Sequence, residues 1–471
     1  MPLPDLIEIV PLDKPVHAEV TVPGSKSITN RALILAALAN GETTLQGALW
    51  SEDTQVMVDA LKNLGFAVKV EPDPGEFCNR TITVKGLAGK IPNAGTHDKP
   101  LEIFVGNAGT AARFLSALVC LGNGVYRLDG VPRMRERPQA ALFEALRELG
   151  YRVESPNNKV PALIYGTGPR AGKCMVSINE SSQFASALIL SAGIAKWNVE
   201  IAGKNAEELP YVAMTSNMVD VFPKRGEHFQ IEADASSGSY FLAANFWFPE
   251  TLEYEEQFKT RIPTSYRNTV RIKNWPDSGW QVDERFQAVM DLGPDWGIAE
   301  DLKRGKIGMG EVAKLAEGLS MGLMRPIISR LNDLGDSIMM LVVFAAIEGQ
   351  EWKFIDLGPL RLQECERVVA LRTELTKCGA KVIEKNDTLE VFHSELHGAE
   401  IETYNDHRMA MCFAILGLKV AGIKIKNPTC VKKTFPNFFQ KLTTEPPRGL
   451  GATILDGKSG RKLGLEELFA D

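Results

Sequence analysis

The chain has no apolar run approaching the ~20 residues that a membrane-spanning helix needs, which argues against a helical membrane protein. Its first residues, MPLPDLIEIVPLDKP, show no basic segment leading into an apolar stretch, so no secretory signal is expected. It has no Cys-x-x-Cys. Seven cysteines are dispersed at 78, 120, 174, 365, 378, 412 and 430, an odd and scattered set that speaks for buried thiols rather than a disulfide framework. Six histidines are dispersed, and the one pair four residues apart, His393 and His397, has no Cys-x-x-Cys to accompany it, so no metal site is expected. Positive charge is not in excess: 53 Lys and Arg stand against 59 Asp and Glu, for a net charge of −6, which disfavours a general nucleic-acid binder. Glycine (41) and proline (26) are too few for a collagen-like or disordered chain. What remains is a cytoplasmic globular protein. At 471 residues it exceeds the roughly 250–300 at which single cores stop growing, so two domains are expected.

What the chain does have is internal repetition. Six segments open on small or polar residues and run directly into an Ala- and Leu-rich helix. They begin near Ser25 (SKSITNRALILAALANG), Asn107 (NAGTAARFLSALVCLGNG), Glu180 (ESSQFASALILSAG), Asp234 (DASSGSYFLAANF), Gly335 (GDSIMMLVVFAAIEG) and Asn405 (NDHRMAMCFAILGL). Ser, Asn and Asp at the openings are helix caps, and the breadth of apolar residues that follows implies burial on most sides. Several are followed by a β-like run, an amphipathic helix ending in Gly and further strands, as in DTQVMVDALKNLGFAVKVEP, PQAALFEALRELGYRVES and ERVVALRTELTKCGAKVIEK. The pattern is an α/β fold of six β-α-β-α-β-β units, three per domain. The expected first domain is 23–233. The second comprises 1–22 and 234–444, the N-terminal segment joining it as a strand. A stretch near 246–310, with Trp247, Trp275, Trp280 and Trp296, reads as an insertion elaborating the surface, and 445–471, rich in Gly and charge, as a tail outside the core.

The start of a buried helix presents unpaired N–H groups and about half a positive charge. Six such starts, if they converge, suit anions. Lys26, Ser27 and Arg31 stand at the first, Asn107, Gly109 and Thr110 at the second, and Ser181, Ser182 and Gln183 at the third. Guanidinium and ammonium groups add to them: Arg133, Arg135 and Arg137 in PRMRERP, Arg361 and Arg367 in RLQECER, Arg408 in NDHR, and Lys432 and Lys433 in KKTFP. Two carboxylates stand among these cations, Asp336 at the fifth helix opening and Glu364 between Arg361 and Arg367, where they can serve as acid or base or as charge partners.

The motifs PGSKSITNRALILAAL, GNAGTAARFL, PRMRERP, SSQF, DASSGSYFLAA, ERVVALRTELTKCGA, YNDHRMAMCFAI and KTFPNFF resemble those of the 5-enolpyruvylshikimate-3-phosphate synthase family, over about residues 6–441 apart from the Trp-rich stretch. The resemblance implies two inverted α/β barrels of three repeats each. It also implies transfer of the enolpyruvyl group of phosphoenolpyruvate to the 5-hydroxyl of shikimate 3-phosphate, with release of phosphate, by a monomer with no metal or organic cofactor. It assigns Lys26, Gly109, Arg133, Gln183, Arg367, Arg408 and Lys433 to phosphoenolpyruvate, Ser27, Arg31, Ser181, Ser182 and Gln183, with Tyr211 nearby, to the acceptor, and Asn107 to substrate binding. Asp336 becomes the base toward the acceptor hydroxyl, Glu364 the proton donor and acceptor at the methylene carbon, and Lys26 a third catalytic group. Retained Gly109 implies binding of the inhibitor glyphosate, with Phe114 in place of the family's proline beside it.

Four positions depart from the family pattern: Gln363 replaces a lysine, Pro359 an asparagine, Glu208 a serine and Leu209 a basic residue. All four changes remove a cation or a polar contact, or add an anion, on the acceptor side. They leave two other readings beside the first, namely transfer to a different, less phosphorylated acceptor, or a non-catalytic relative that binds a ligand or partner. Lys204 or the Trp-rich stretch could supply compensation for the first reading.

Overall fold

A computed structural model describes residues 3–202, 209–245, 269–292, 326–348 and 351–470. The chain divides into two compact units. The first is Pro23–Asp234 with Pro276–Gln281; the second is Met1–Val22, Ala235–Trp275 and Val282–Asp471.

Each unit is built around three buried helices. In the first unit these are Lys26–Leu38, Gly109–Leu118 and Gln183–Ala195, which pack on one another. In the second they are Ala235–Asn245, Ile338–Ala345 and His407–Gly417, again in mutual contact. Their sequences explain the position. Every residue from Ile28 to Leu38 and from Ile338 to Ala345 is buried, which only a helix surrounded by protein allows. The outer helices, among them Glu52–Asn63, Ala140–Glu148 and Arg367–Lys377, keep one apolar face inward.

Sheets flank the helices, three in each unit among the described residues. In the first unit the strand orders are His228–Gln230, Asn40–Leu49, Asn79–Leu87, Val68–Pro72; then Leu101–Phe104, Asn123–Asp129, Ala162–Thr167, Arg152–Glu154; then Gly172–Ser177 with Trp197–Ala202. The second unit repeats the plan, with Ile327–Ser329, Trp352–Ile355, Thr388–Phe392, Lys381–Lys385 as its most regular sheet. Strands on either side of a buried helix pair in parallel, as Leu101–Phe104 does with Asn123–Asp129 and Ile327–Ser329 with Trp352–Ile355. The hairpin that follows is antiparallel. This is the repeating α/β unit read from the sequence, although the third repeat has two paired strands where the second has four.

Near the N-terminus, Leu6–Val10 pairs antiparallel with Ile423–Lys426, and Ala18–Val20 runs parallel to Val270–Ile272, so the first strands complete sheets of the second unit.

Two expectations are corrected. The segment after Glu445 is not outside the core. Thr453–Asp456 pairs antiparallel with Leu6–Val10, register Glu8↔Leu455, and Leu450, Ile454, Leu463 and Leu468 are buried. Its glycines and charges belong to a tight turn at 457–460 and to the Arg461–Glu467 ion pair at 2.8 Å, not to a solvated tail. The stretch 246–310 is described only over 269–292, and there it is structural rather than decorative. Val270–Ile272 is a sheet strand, fixed by the Asn245 amide donating to the Val270 carbonyl at 2.8 Å, and Phe286 and Val289 are buried. Trp280 stacks on Phe229, with ring centroids 6.4 Å apart, while Trp247 and Trp296 lie outside the described residues.

Candidate active site

In the first unit, the N-cap residues Ser25, Ala108 and Ser182 form no side-chain cap bond, so the three buried helices open without one. Lys26 stands at the first opening, its ammonium 3.3 Å from the buried Asp53. Arg31, one turn on, is buried. Its Nε donates to Thr215 Oγ1 at 2.7 Å, its Nη1 to the Ser27 carbonyl at 2.9 Å, and its Nη2 to Ser186 Oγ at 3.2 Å and the Tyr211 carbonyl at 3.4 Å. Its guanidinium also lies over the Phe114 ring, 5.3 Å from the centroid. The bulky ring at 114 is therefore core, and it supports Arg31.

At the second opening the structure moves the weight within PRMRERP. Arg133 carries the sequence expectation, but its side chain is 41 % exposed and pairs with Glu136 at 2.8 Å on the outside of the short helix Pro132–Glu136. Arg137, just past that helix, donates to the Asn107 carbonyl at 3.2 Å. A Cβ placed on Gly109 would come within 2.7 Å of its guanidinium and 2.6 Å of that of Arg113. Glycine here is what lets two guanidiniums approach the helix backbone. Arg135 holds the segment in place by a two-pronged grip on Asp129, at 2.9 and 2.8 Å, which keeps that carboxyl below its usual range despite partial burial. The correction follows from helix geometry, since 133 and 137 lie about a turn apart and the chain leaves the helix between them. At the third opening Gln183 donates to Thr110 Oγ1 at 3.4 Å, and Ser181 Oγ accepts the Gln183 N–H at 3.2 Å. Ser27, Ser181 and Tyr211 are half-buried and Ser182 is buried.

In the second unit the expected residues converge tightly. Arg367 opens the helix Arg367–Lys377, and its side chain is only 1 % exposed. Its Nε meets Asp406 at 2.7 Å, its Nη2 Glu364 at 2.8 Å, and its Nη1 Asp336 at 3.5 Å and the Gln363 side-chain carbonyl. Glu364 is shared with the Lys433 ammonium at 2.9 Å. Asp336 is shared among Arg330 at 3.2 Å, Arg408 at 3.2 Å and Arg367, and the Gln363 amide reaches it at 3.5 Å. Arg408 also donates to the buried Tyr240 hydroxyl at 3.3 Å. Asp406 caps its own helix through the Arg408 N–H at 2.8 Å and accepts the Cys365 thiol at 3.5 Å.

Burial alone would raise the Asp336 carboxyl, but Arg408, Arg367 and Arg330 together hold it far below the usual carboxylate range. It is ionised at every working pH. Its pairing contributes stability above the unfolded value near 3.9, lost only as pH falls through the depressed value. Burial opposes the charge of Arg367, yet three carboxylates hold it protonated. Arg330, Arg367, Arg408 and Lys433 thus face Asp336, Glu364 and Asp406, with the buried Asp283 in electrostatic reach of Arg408 and Asp336.

Sequence reading missed Arg330 and Asp406, both buried, which complete the charge pairing. Asp406 sits in the NDHR motif and was legible as a cap; Arg330, six residues before Asp336, carried no signal. Among the departures, Gln363 is in the cluster, Pro359 lies in the turn Gly358–Leu362, and Leu209 is exposed at the start of the helix Leu209–Val221. Glu208 and Lys204 lie outside the described residues. No group of three or more His, Cys, Asp or Glu able to hold a metal ion occurs among the described residues, and no helix there is long and apolar enough to cross a membrane.

The family profile described as EPSP synthase (3-phosphoshikimate 1-carboxyvinyltransferase) matches residues 11–262 and 264–442. The chain belongs to the EPSP synthase family. The match runs through the Trp-rich stretch, correcting the expectation that this part falls outside the resemblance. A 3-phosphoshikimate 1-carboxyvinyltransferase of Nostoc punctiforme is 36 % identical over 463 residues, covering 93 % of this chain and 98 % of its own. One from Opitutus terrae is 34 % identical over 478 residues, covering 94 % and 98 %. An EPSP synthase from Acinetobacter baumannii superposes with a TM-score of 0.64 at 18 % identity, covering 95 % and 99 % of the two chains. The enolpyruvyl transferase NikO from Streptomyces tendae does so at 0.60 and 14 %, covering 96 % and 99 %. The two solved structures bear out the two-domain α/β fold of enolpyruvyl transferases.

Proposed function

We propose that the protein transfers the enolpyruvyl group of phosphoenolpyruvate to the 5-hydroxyl of shikimate 3-phosphate and releases phosphate. The observation that carries this reading is the packing of Asp336 and Glu364 among Arg330, Arg367, Arg408 and Lys433, in a chain whose near-full-length relatives bear the name of that enzyme. Those relatives favour shikimate 3-phosphate over a less phosphorylated acceptor or a non-catalytic role.

The residues divide by unit. In the second unit Arg367, Arg408 and Lys433 suit the carboxylate and phosphate of phosphoenolpyruvate; in the first, Lys26, Gly109, Gln183 and Arg137, the last in place of Arg133, suit the same anion. Ser27, Ser181 and Ser182 contact the acceptor, and Arg31 orients the backbone at Ser27 and Tyr211. Asp336 takes the proton of the acceptor hydroxyl as its oxygen bonds to C2 of phosphoenolpyruvate. Glu364, entering this step protonated, delivers that proton to C3, giving a tetrahedral intermediate and leaving its carboxylate. It then removes a proton from C3 as the C2–O bond to phosphate breaks and the vinyl ether forms. Lys433, 2.9 Å from Glu364, steadies the carboxylate between the two steps. Asp336 is a weak base while three arginines hold it. An anionic substrate on Arg367 and Arg408 competes for the same guanidiniums and restores basicity where the hydroxyl needs it. The same reading makes the protein a cytoplasmic monomer with no cofactor.

The acceptor is tested by measuring phosphate release with shikimate 3-phosphate and with shikimate. A kcat/KM at least 100-fold higher for the phosphorylated acceptor is expected; a preference for shikimate would move the reading to the less phosphorylated class. Gly109→Ala places a methyl against Arg113 and Arg137. It is expected to raise KM for phosphoenolpyruvate by about tenfold with a smaller change in KM for the acceptor, measured by steady-state kinetics.

A further inference from the structure

Asp283 lies in the turn Val282–Arg285, inside the Trp-rich stretch, and is buried. One of its oxygens, Oδ1, accepts the Gly335 N–H at 2.7 Å, the Ser337 hydroxyl at 2.6 Å and the Ser337 N–H at 3.3 Å. The other accepts the Ser236 hydroxyl. Gly335 and Ser337 are the residues on either side of Asp336. The helix Ile338–Ala345 has no side-chain cap of its own at Ser337, so the acceptor for its first turn comes from a carboxylate more than 50 residues away. The turn is itself tied down: the Trp275 indole donates to the Glu284 carbonyl at 3.1 Å, and Arg285 to the Asn332 carbonyl at 2.7 Å.

We propose that Asp283 is the positioning residue of Asp336. By binding both of its peptide neighbours through one oxygen, it fixes where the Asp336 carboxylate points among Arg330, Arg367 and Arg408. This rests on the enolpyruvyl-transfer reading for its effect on rate, but not for its effect on the backbone. The role is geometric. A carboxylate and a carboxamide at 283 both offer an oxygen to Gly335 and Ser337, and the amide can donate to the Ser236 hydroxyl.

Asp283→Ala and Asp283→Asn, with folding followed by thermal melting, test the proposal. In Asp283→Ala, kcat is expected to fall about 10–100-fold, as misplacement of a reacting group by about 1 Å does, while KM for phosphoenolpyruvate stays within threefold. Asp283→Asn is expected to restore kcat to within threefold of the parent. Amide hydrogen exchange over 335–337 is expected to quicken at least tenfold in Asp283→Ala and to change little in Asp283→Asn. A folded Asp283→Ala protein with kcat within twofold of the parent overturns the proposal. So does an Asn variant as impaired as the Ala variant, which would assign the effect to charge, and so does unchanged exchange. Should Asp283→Ala not fold, Ser337→Ala removes one of the three donors. A several-fold loss of kcat at constant KM supports the proposal, and an unchanged kcat contradicts it. A parent protein without transfer activity would refute the functional reading, while the exchange comparison would still decide whether Asp283 holds the segment.

Discussion

Asp336→Ala is expected to lower kcat by about 10²–10⁴-fold, the range for loss of a positioned general base, with KM for phosphoenolpyruvate unchanged or reduced. The split follows from the geometry. Asp336 neutralises Arg330, Arg367 and Arg408 at 3.2–3.5 Å. Its removal takes away the proton acceptor and at the same time frees two of the guanidiniums assigned to the anionic substrate. Binding and turnover should therefore move in opposite directions, which general damage to the fold would not produce. Steady-state kinetics on the purified variant, with phosphoenolpyruvate affinity by calorimetry, measures both. A kcat within threefold of the parent would remove Asp336 from the chemistry.

Arg367→Ala is expected to cost about 3–5 kcal/mol of stability as well as the activity. Its buried guanidinium is the common partner of Asp406, Glu364 and Asp336, and breaking a buried pair by removing one member leaves the other charge uncompensated. Against a total stability of roughly 5–15 kcal/mol, that loss is large. The urea midpoint of the unfolding step of the second unit should fall, and phosphoenolpyruvate binding should be lost. Arg367→Lys keeps the charge but not the fork. It is expected to recover part of the stability and little of the binding, because a point ammonium cannot serve Asp406 and Glu364 together. An unshifted midpoint in Arg367→Ala would mean that the cluster does not hold the unit together.

Much of this was legible in the sequence because the signals are local. A helix buried on most sides is apolar on most sides, so ALILAAL and IMMLVVFAA announce central helices without any structure. Small, polar and charged residues just before these apolar runs mark where the helices open. Where the reading failed, the missing information was three-dimensional. Arg133 and Arg137 are chemically identical and four residues apart, and only the path of the chain after Glu136 brings the second to Gly109. The Gly-rich C-terminal segment looked like a tail because its strand, Thr453–Asp456, is short and its partner lies at the other end of the chain. Asp283 was invisible for the same reason: its partners Ser236, Gly335 and Ser337 lie about 50 residues away in sequence, on either side of it. Gln363 was legible as a departure but not in its consequence. In the structure it bridges Asp336 and Arg367 through a neutral amide, so that it keeps two acidic and basic groups in register without adding a proton to their exchange.

The most direct test of the account follows the transferred carbon atoms. The protein is incubated with ¹³C-labelled phosphoenolpyruvate and shikimate 3-phosphate, and with phosphoenolpyruvate alone, while released phosphate is measured and the product is read by NMR. Phosphate release that depends on the acceptor, matched mole for mole by label in a vinyl ether at the 5-oxygen, is the expected result. Phosphoenolpyruvate binding with neither phosphate nor labelled ether in the presence of the acceptor would contradict the assignment of the charged cluster to enolpyruvyl transfer onto shikimate 3-phosphate.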